Sequence, residues 1–181
     1  MYFAKPGKKN TNATVEAALM AARERSIGHI VVASSSGETA LLLAGFEGNV
    51  VCVTHAYGFS EDGRNEMPDE MRAKLIASGL KVYTGTHVLS GADRGLSNHF
   101  QGIYPPEIMA HALRMLGQGV KVCVEVAVMA LDAGLIPHGQ KIVAVGGTTG
   151  GADTALIISP AHANHILKTK IHEIICKPSA I

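Results

Sequence analysis

Ile30-Val31-Val32-Ala33-Ser34-Ser35-Ser36-Gly37-Glu38-Thr39 (residues 30–39) reads as a buried strand that delivers a hydroxyl-rich bend to the start of a helix. Four consecutive apolar residues without polar alternation suit a strand covered on both faces, as in a parallel sheet. Ser35 and Glu38 have capping-box spacing, so the helix is expected to begin within the serine run and to carry Leu41, Leu42 and Leu43. Unpaired N–H groups and the helix dipole at such a start attract an anion. The hydroxyls of Ser34, Ser35, Ser36 and Thr39 add donors, and Gly37 lets the backbone approach a phosphate. One hydroxyl is enough for a plain helix cap. Three in a row favour a phosphate loop, with the cap as the alternative.

The same alternation of short branched runs and helical periods extends in both directions. Tyr2-Phe3-Ala4 is a short strand, and Lys5 to Asn10 a turn. Thr11 or Asn12 caps a helix whose Val15, Ala18, Leu19 and Ala22 share one face. Val50–Thr54 is a second buried strand leading into a loop from His55 to Met67. Pro68 opens a helix that Gly79 stops, and Lys81–Thr84 is a third strand. Gly85 to Pro105 reads as a long irregular loop, and Pro106 begins a helix ending near Gly117. Val120 to Ala133 is rich in valine, yet Val120, Cys123, Val124, Ala127, Val128 and Leu131 keep helical spacing, so the segment is expected to be a helix. Strands at 142–145, 155–158 and 171–176 complete the chain, the last ones too close together for helical crossovers.

The expected fold is an α/β three-layer sandwich in one domain spanning residues 1–181. Its sheet is mostly parallel, with an antiparallel C-terminal extension. An extra sheet edge of that kind needs cover, which makes a homo-oligomer an expectation. In such sheets ligands gather beyond the carboxyl ends of the strands. Lys5, the serine run, Thr54-His55, the region after Thr84 and the Gly146–Gly151 loop are expected to meet there.

Composition narrows the function classes. Sixteen Lys+Arg against fifteen Asp+Glu leave a net charge of +1, so no global basic field exists for nucleic acid or membrane. Tryptophan is absent and aromatics are 4%, which weakens any base-stacking surface. The longest apolar stretch, 120–133, is interrupted by Lys121, Glu125 and Asp132 and falls short of the ~20 residues a membrane span needs. No signal peptide opens the chain. Cys52, Cys123 and Cys176 sit singly among apolar residues, without CxxC spacing; free thiols in a reducing cytoplasm are the expectation.

Gly146-Gly147-Thr148-Thr149-Gly150-Gly151 follows another strand and forms a donor-rich rim. It is not a P-loop, because Ala152-Asp153 stands where Lys-[Ser/Thr] is required. Asp153 is placed to orient a ribityl or ribose hydroxyl, or to close its own turn. His55, at a strand's carboxyl end, and His87, in the long loop, are site candidates by location, and Glu125 is an acid inside an apolar helix, where it must be paired or face a cavity. Lys5, Lys8 and Lys9 can attract a phosphate. His162 and His165, three apart, have no third ligand fixed by spacing, so no metal is expected. No nucleophile elbow or HExxH is present, and no reaction is assigned.

The chain resembles the stand-alone relatives of the pyruvate kinase C-terminal domain. The residues that carry the likeness are Lys5-Pro6-Gly7 with Asn10-Thr11, the serine bend, His87-Val88-Leu89-Ser90-Gly91, Val122-Cys123-Val124-Glu125, Val143-Ala144-Val145-Gly146-Gly147 and Gly151-Ala152-Asp153-Thr154-Ala155. The resemblance implies a three-layer sandwich and FMN, or a similar phosphorylated small molecule, as ligand. It adds Lys5, Asn10, Thr11, Gly91, Gly146 and Gly147 to the expected binding residues. It does not imply pyruvate kinase activity, which belongs to a separate barrel domain. Three classes stay open: an FMN-binding protein, a flavin-dependent enzyme, and a sensor of a sugar phosphate or nucleotide.

Overall fold

The computed structural model describes residues 1–180. Strands β1 (Tyr2–Phe3), β2 (His29–Ala33), β3 (Asn49–Val53), β4 (Lys81–Tyr83), β5 (Ile142–Gly146), β6 (Thr154–Ser159) and β7 (Lys170–Pro178) form one sheet in the order β1-β7-β6-β5-β2-β3-β4. The pairs β2–β3, β2–β5, β3–β4 and β1–β7 are parallel, whereas β6 runs antiparallel to both of its neighbours. Only β6 is reversed, as the short 146–154 connection requires: it is long enough for a turn and too short for a crossover helix. The exposed edges are β1 and β4. The reversed strand lies inside the sheet, and the edge beyond the C-terminal extension is the two-residue β1.

Helices α1 (Thr11–Glu24), α2 (Glu38–Leu41), α3 (Asp69–Ala77), α4 (Ala92–Phe100), α5 (Pro105–Arg114) and α6 (Gln118–Asp132) cover the two faces. Alternate side chains of each strand face opposite layers. Ile30, Val32, Val50, Cys52, Val143 and Val145 pack with Val15, Ala18 and Ala22 of α1 and with Leu75 of α3. Val31, Val51, Ile142, Ala144 and Leu156 pack with Val120, Cys123, Val124, Ala127 and Leu131 of α6. The helical spacing over 120–133 thus prevails over its β-branched content, because one face of α6 seals the centre of the sheet. All three thiols are buried and free, and burial pushes that of Cys52 up to about 12. Among the described residues no helix is long and apolar enough to cross a membrane.

Four local expectations are corrected. Residues 85–105 are not irregular throughout: Ala92–Phe100 form α4, which has no buried residue and presents Leu96 and Phe100 on an exposed stripe. The helix after the serine bend is a single turn, with Leu42 and Leu43 already in the turns that follow. Its N-cap is Gly37, in the left-handed region at φ +88°, so there is no Ser35–Glu38 capping box. At α1 the N-cap is Asn10, and Thr11 is the first helical residue.

Gly119 brings α6 against the sheet. A Cβ there would overlap Thr154 Oγ1 and stand 2.5 Å from Thr154 Cβ. Gly119→Ala is therefore expected to cost about 1–3 kcal/mol, the usual price of overpacking. Urea denaturation checks this; a midpoint equal to that of the native chain would contradict it.

Candidate functional site

The carboxyl ends of β2, β3 and β5 open into one cleft of about 340 Å³, within the ~300–1,000 Å³ common for small-ligand sites. The chain leaves β2 toward β3 on one side, and β5 pairs with β2 on the other, so the cleft sits at the point where strand order reverses. Its walls are the serine bend, Thr54 and His55 after β3, Phe59, the segment carrying His87 and Ser90, the 147–151 loop, and the first two turns of α6.

At the serine bend, Ser34 N–H donates to Val53 O (3.0 Å) and completes the strand pairing. Beyond it, among the described residues, the N–H groups of Ser35, Ser36 and Gly37 have no acceptor and the hydroxyls of Ser34 and Ser35 do not donate. Ser36 Oγ accepts from Glu38 N–H at 3.4 Å. Gly37 is required twice, by its positive φ and because a Cβ would stand 2.5 Å from Met71 Cγ. Since α2 is one turn long, its dipole is small, and the bend offers chiefly its own amides and hydroxyls. A longer helix also ends at the cleft. Gln118 and Lys121, in the first turn of the fifteen-residue α6, line it.

The cleft holds four cations, Lys8, Arg94, Arg114 and Lys121, against two carboxylates, Glu38 and Glu125. Lys8 Nζ pairs with Glu38 at 2.8 Å on the surface and holds its carboxyl below the ordinary value. Arg114 Nε donates to Gln118 Oε1 (2.7 Å). Lys121 and Glu125, one helical turn apart, are ion-paired, with both side chains 6% exposed or less. Glu125 Oε1 also accepts from Leu89 N–H (2.9 Å) and from Ser90 Oγ (3.5 Å). Glu125 is thus a structural acid that ties the 87–90 segment to α6.

The cleft also has an aromatic wall. The His55 ring lies 4.0 Å from that of Phe59 and 5.5 Å from that of His87, and Phe59 and His87 are 5.4 Å apart. Burial holds His87 below its ordinary value, with His55 and Lys121 acting in the same direction and Glu125 and the Thr54 backbone opposing. His55 Nδ1 is paired with Glu66, whose other oxygen accepts from Ser60 Oγ (2.5 Å).

Several expected residues lie elsewhere. Asp153 is wholly buried; its Oδ2 accepts from Gly7 N–H (3.0 Å) and its Oδ1 from Thr154 Oγ1 (2.8 Å). Thr11 Oγ1 accepts from Ala152 N–H (3.0 Å), and Asn10 Nδ2 donates to Lys5 O (2.8 Å). Asp153, Thr11 and Asn10 hold the N-terminal segment and the glycine-rich loop together from behind. Neither Lys5 nor Lys9 lines the cleft; Gly37 and Gly146 back it, and Gly91 lines a separate hollow. His162 pairs with Asp132 (2.7 Å) and stacks on His138, while His165 lies in the 3₁₀ turn beyond. The serine bend, Thr39, Thr54, His55, His87, Ser90, Glu125, Gly147 and Thr148 do converge. Phe59, Arg94, Arg114 and Gln118 are additional.

Fold and cleft define an α/β domain with a polar, cation-rich cleft at the switch point of its sheet. The profile of the pyruvate kinase alpha/beta domain matches residues 12–158, and the chain belongs to that family. Among solved structures it is similar to a pyruvate kinase from Cryptosporidium parvum, with 18% identity over 81% of this chain and 22% of that one, at a TM-score of 0.43. A structure of Cryptosporidium parvum pyruvate kinase in complex with ADP matches at 19% identity over 86% and 24% of the two chains, with a TM-score of 0.42. The chain thus spans about a quarter of the length of these enzymes.

Two outcomes follow from the site's charges. Glu125→Gln leaves Lys121 buried without a counter-charge and is expected to destabilise the fold by about 3–5 kcal/mol. The joint change Lys121→Met with Glu125→Leu should cost much less, and equal losses in chemical denaturation would contradict the pairing. His87 binds its proton more weakly folded than unfolded, so its contribution is complete above pH 6.5 and lost as pH falls below that value. His87→Asn should flatten the pH dependence of stability on the acid side of 6.5, and an unchanged slope would contradict the burial effect.

Proposed function

We propose that the cleft binds FMN or a similar phosphorylated small molecule, its phosphate at the serine bend and its ring at the His55–Phe59–His87 wall. The observation that carries this reading is the union of two chemistries in one hollow. Its walls offer unpartnered amides, hydroxyls and more cations than carboxylates, together with three rings that can flank a planar ligand. Anion capture by oriented N–H groups needs no further device. The sequence resemblance to the stand-alone relatives of the pyruvate kinase C-terminal domain implies the same ligand class.

A second reading, a sensor of a sugar phosphate with more than one phosphate, draws on Arg94 and Arg114, which exceed what a single phosphate needs. Mass spectrometry of the ligand released from gently denatured protein separates the two. A flavin mass supports the first reading and a sugar bisphosphate alone the second.

Titration of FMN by fluorescence quenching is expected to give a Kd on the order of micromolar, near −8 kcal/mol. Ser36→Asp preserves an acceptor for Glu38 N–H but sets a negative charge at the phosphate position. It should weaken FMN at least tenfold without lowering the melting temperature. Equal affinity in a folded variant would remove the serine bend from the site.

A further inference from the structure

His55 is built into a relay that ligand binding alone does not require. Its Nδ1 faces Glu66, and Glu66 is itself fixed by Ser60 through its second oxygen. Burial pushes the Glu66 carboxyl up, but the bonds from Ser60 and His55 outweigh it and hold it below its ordinary value. An ionised carboxylate only accepts, so Nδ1 must carry the proton. In neutral His55 the remaining nitrogen, Nε2, then carries a lone pair. It has no hydrogen-bond partner among the described residues, and the side chain, 41% exposed, lines the cleft.

A lone pair repels an anion, so His55 can contact an anionic group only after Nε2 gains a proton. We propose that anion entry into the cleft draws one proton from solvent onto His55 Nε2, making His55 a proton-coupled anion contact. The inference rests on the cleft receiving an anionic ligand, as proposed above, and adds how that binding depends on pH. In the coupled step water or buffer loses a proton, the Nε2 lone pair forms the new N–H bond, and the imidazolium stands between Glu66 and the ligand. The Phe59 ring, 4.0 Å away, favours the cation by its π-face.

The other charged groups facing His55 do not supply this proton. Of its immediate neighbours, His87 is kept neutral by burial, and Glu66 already accepts at Nδ1. Across the cleft, Lys8 and Glu38 are paired with each other, as are Lys121 and Glu125, while Arg94 and Arg114 stay charged throughout. Proton uptake that accompanies the anion is therefore assigned to His55.

The test is calorimetric titration in two buffers of different ionisation enthalpy, from pH 6 to 9, with sulfate and FMN as separate probes. Sulfate has no titratable proton in this range, so any uptake belongs to the protein. Native protein should take up a fraction of a proton on binding sulfate, and His55→Gln should abolish that uptake while weakening sulfate severalfold. His162→Gln, outside the cleft, should keep it. Nitrogen NMR of the free native protein should show the Nδ1–H tautomer of His55. Sulfate uptake without FMN binding would leave His55's role standing and overturn the flavin reading. FMN binding with uptake unchanged in His55→Gln would do the reverse. Absence of binding by both probes overturns both readings, as an Nε2–H tautomer overturns the relay.

Discussion

The buried pair of Lys121 and Glu125 is the interaction on which the cleft depends. Both groups lie on the first turns of α6, and two charges withdrawn from water stay tolerable only while each satisfies the other. Glu125 reaches further and accepts the Leu89 amide, so the segment carrying His87 is fixed relative to the sheet. Gly119 lets α6 come close enough for this, since any side chain there would meet Thr154. A helix less tightly seated would leave the aromatic wall without a support on that side.

Topology explains why the chemistry gathers where it does. Parallel strands β2, β3 and β5 end at one edge, and the change of direction between β3 and β5 about β2 leaves a gap there. Two devices keep the gap open. Asp153, Thr11 and Asn10 satisfy their polar groups against the backbone behind the glycine-rich loop. The serine bend spends only Ser34's amide on the sheet, and its next three amides remain available.

Much of this was legible in the sequence. The branched runs at 30–33, 50–53 and 142–145 could only be buried strands, and the 3.6-residue spacing through 120–131 overruled its valines. The serine bend was visible because three hydroxyls exceed the needs of a cap. Arg94 was missed because residues 85–105 look like a loop, although Leu96 and Phe100, four apart, carry a helical signal. Arg114, Gln118 and Phe59 come to the cleft from the ends of elements or from loops, where local pattern says nothing of tertiary position. Asp153, Asn10 and Thr11 show the opposite error. The residue types that hold a ligand's hydroxyls also hold a backbone, and only tertiary structure separates the two uses.

The most direct measurement is a crystal structure of the protein with FMN. The account predicts phosphate oxygens about 2.9 Å from the amide nitrogens of Ser35, Ser36 and Gly37, with the ring against His55 and Phe59. A phosphate bound elsewhere, with those three amides turned to water, would contradict it.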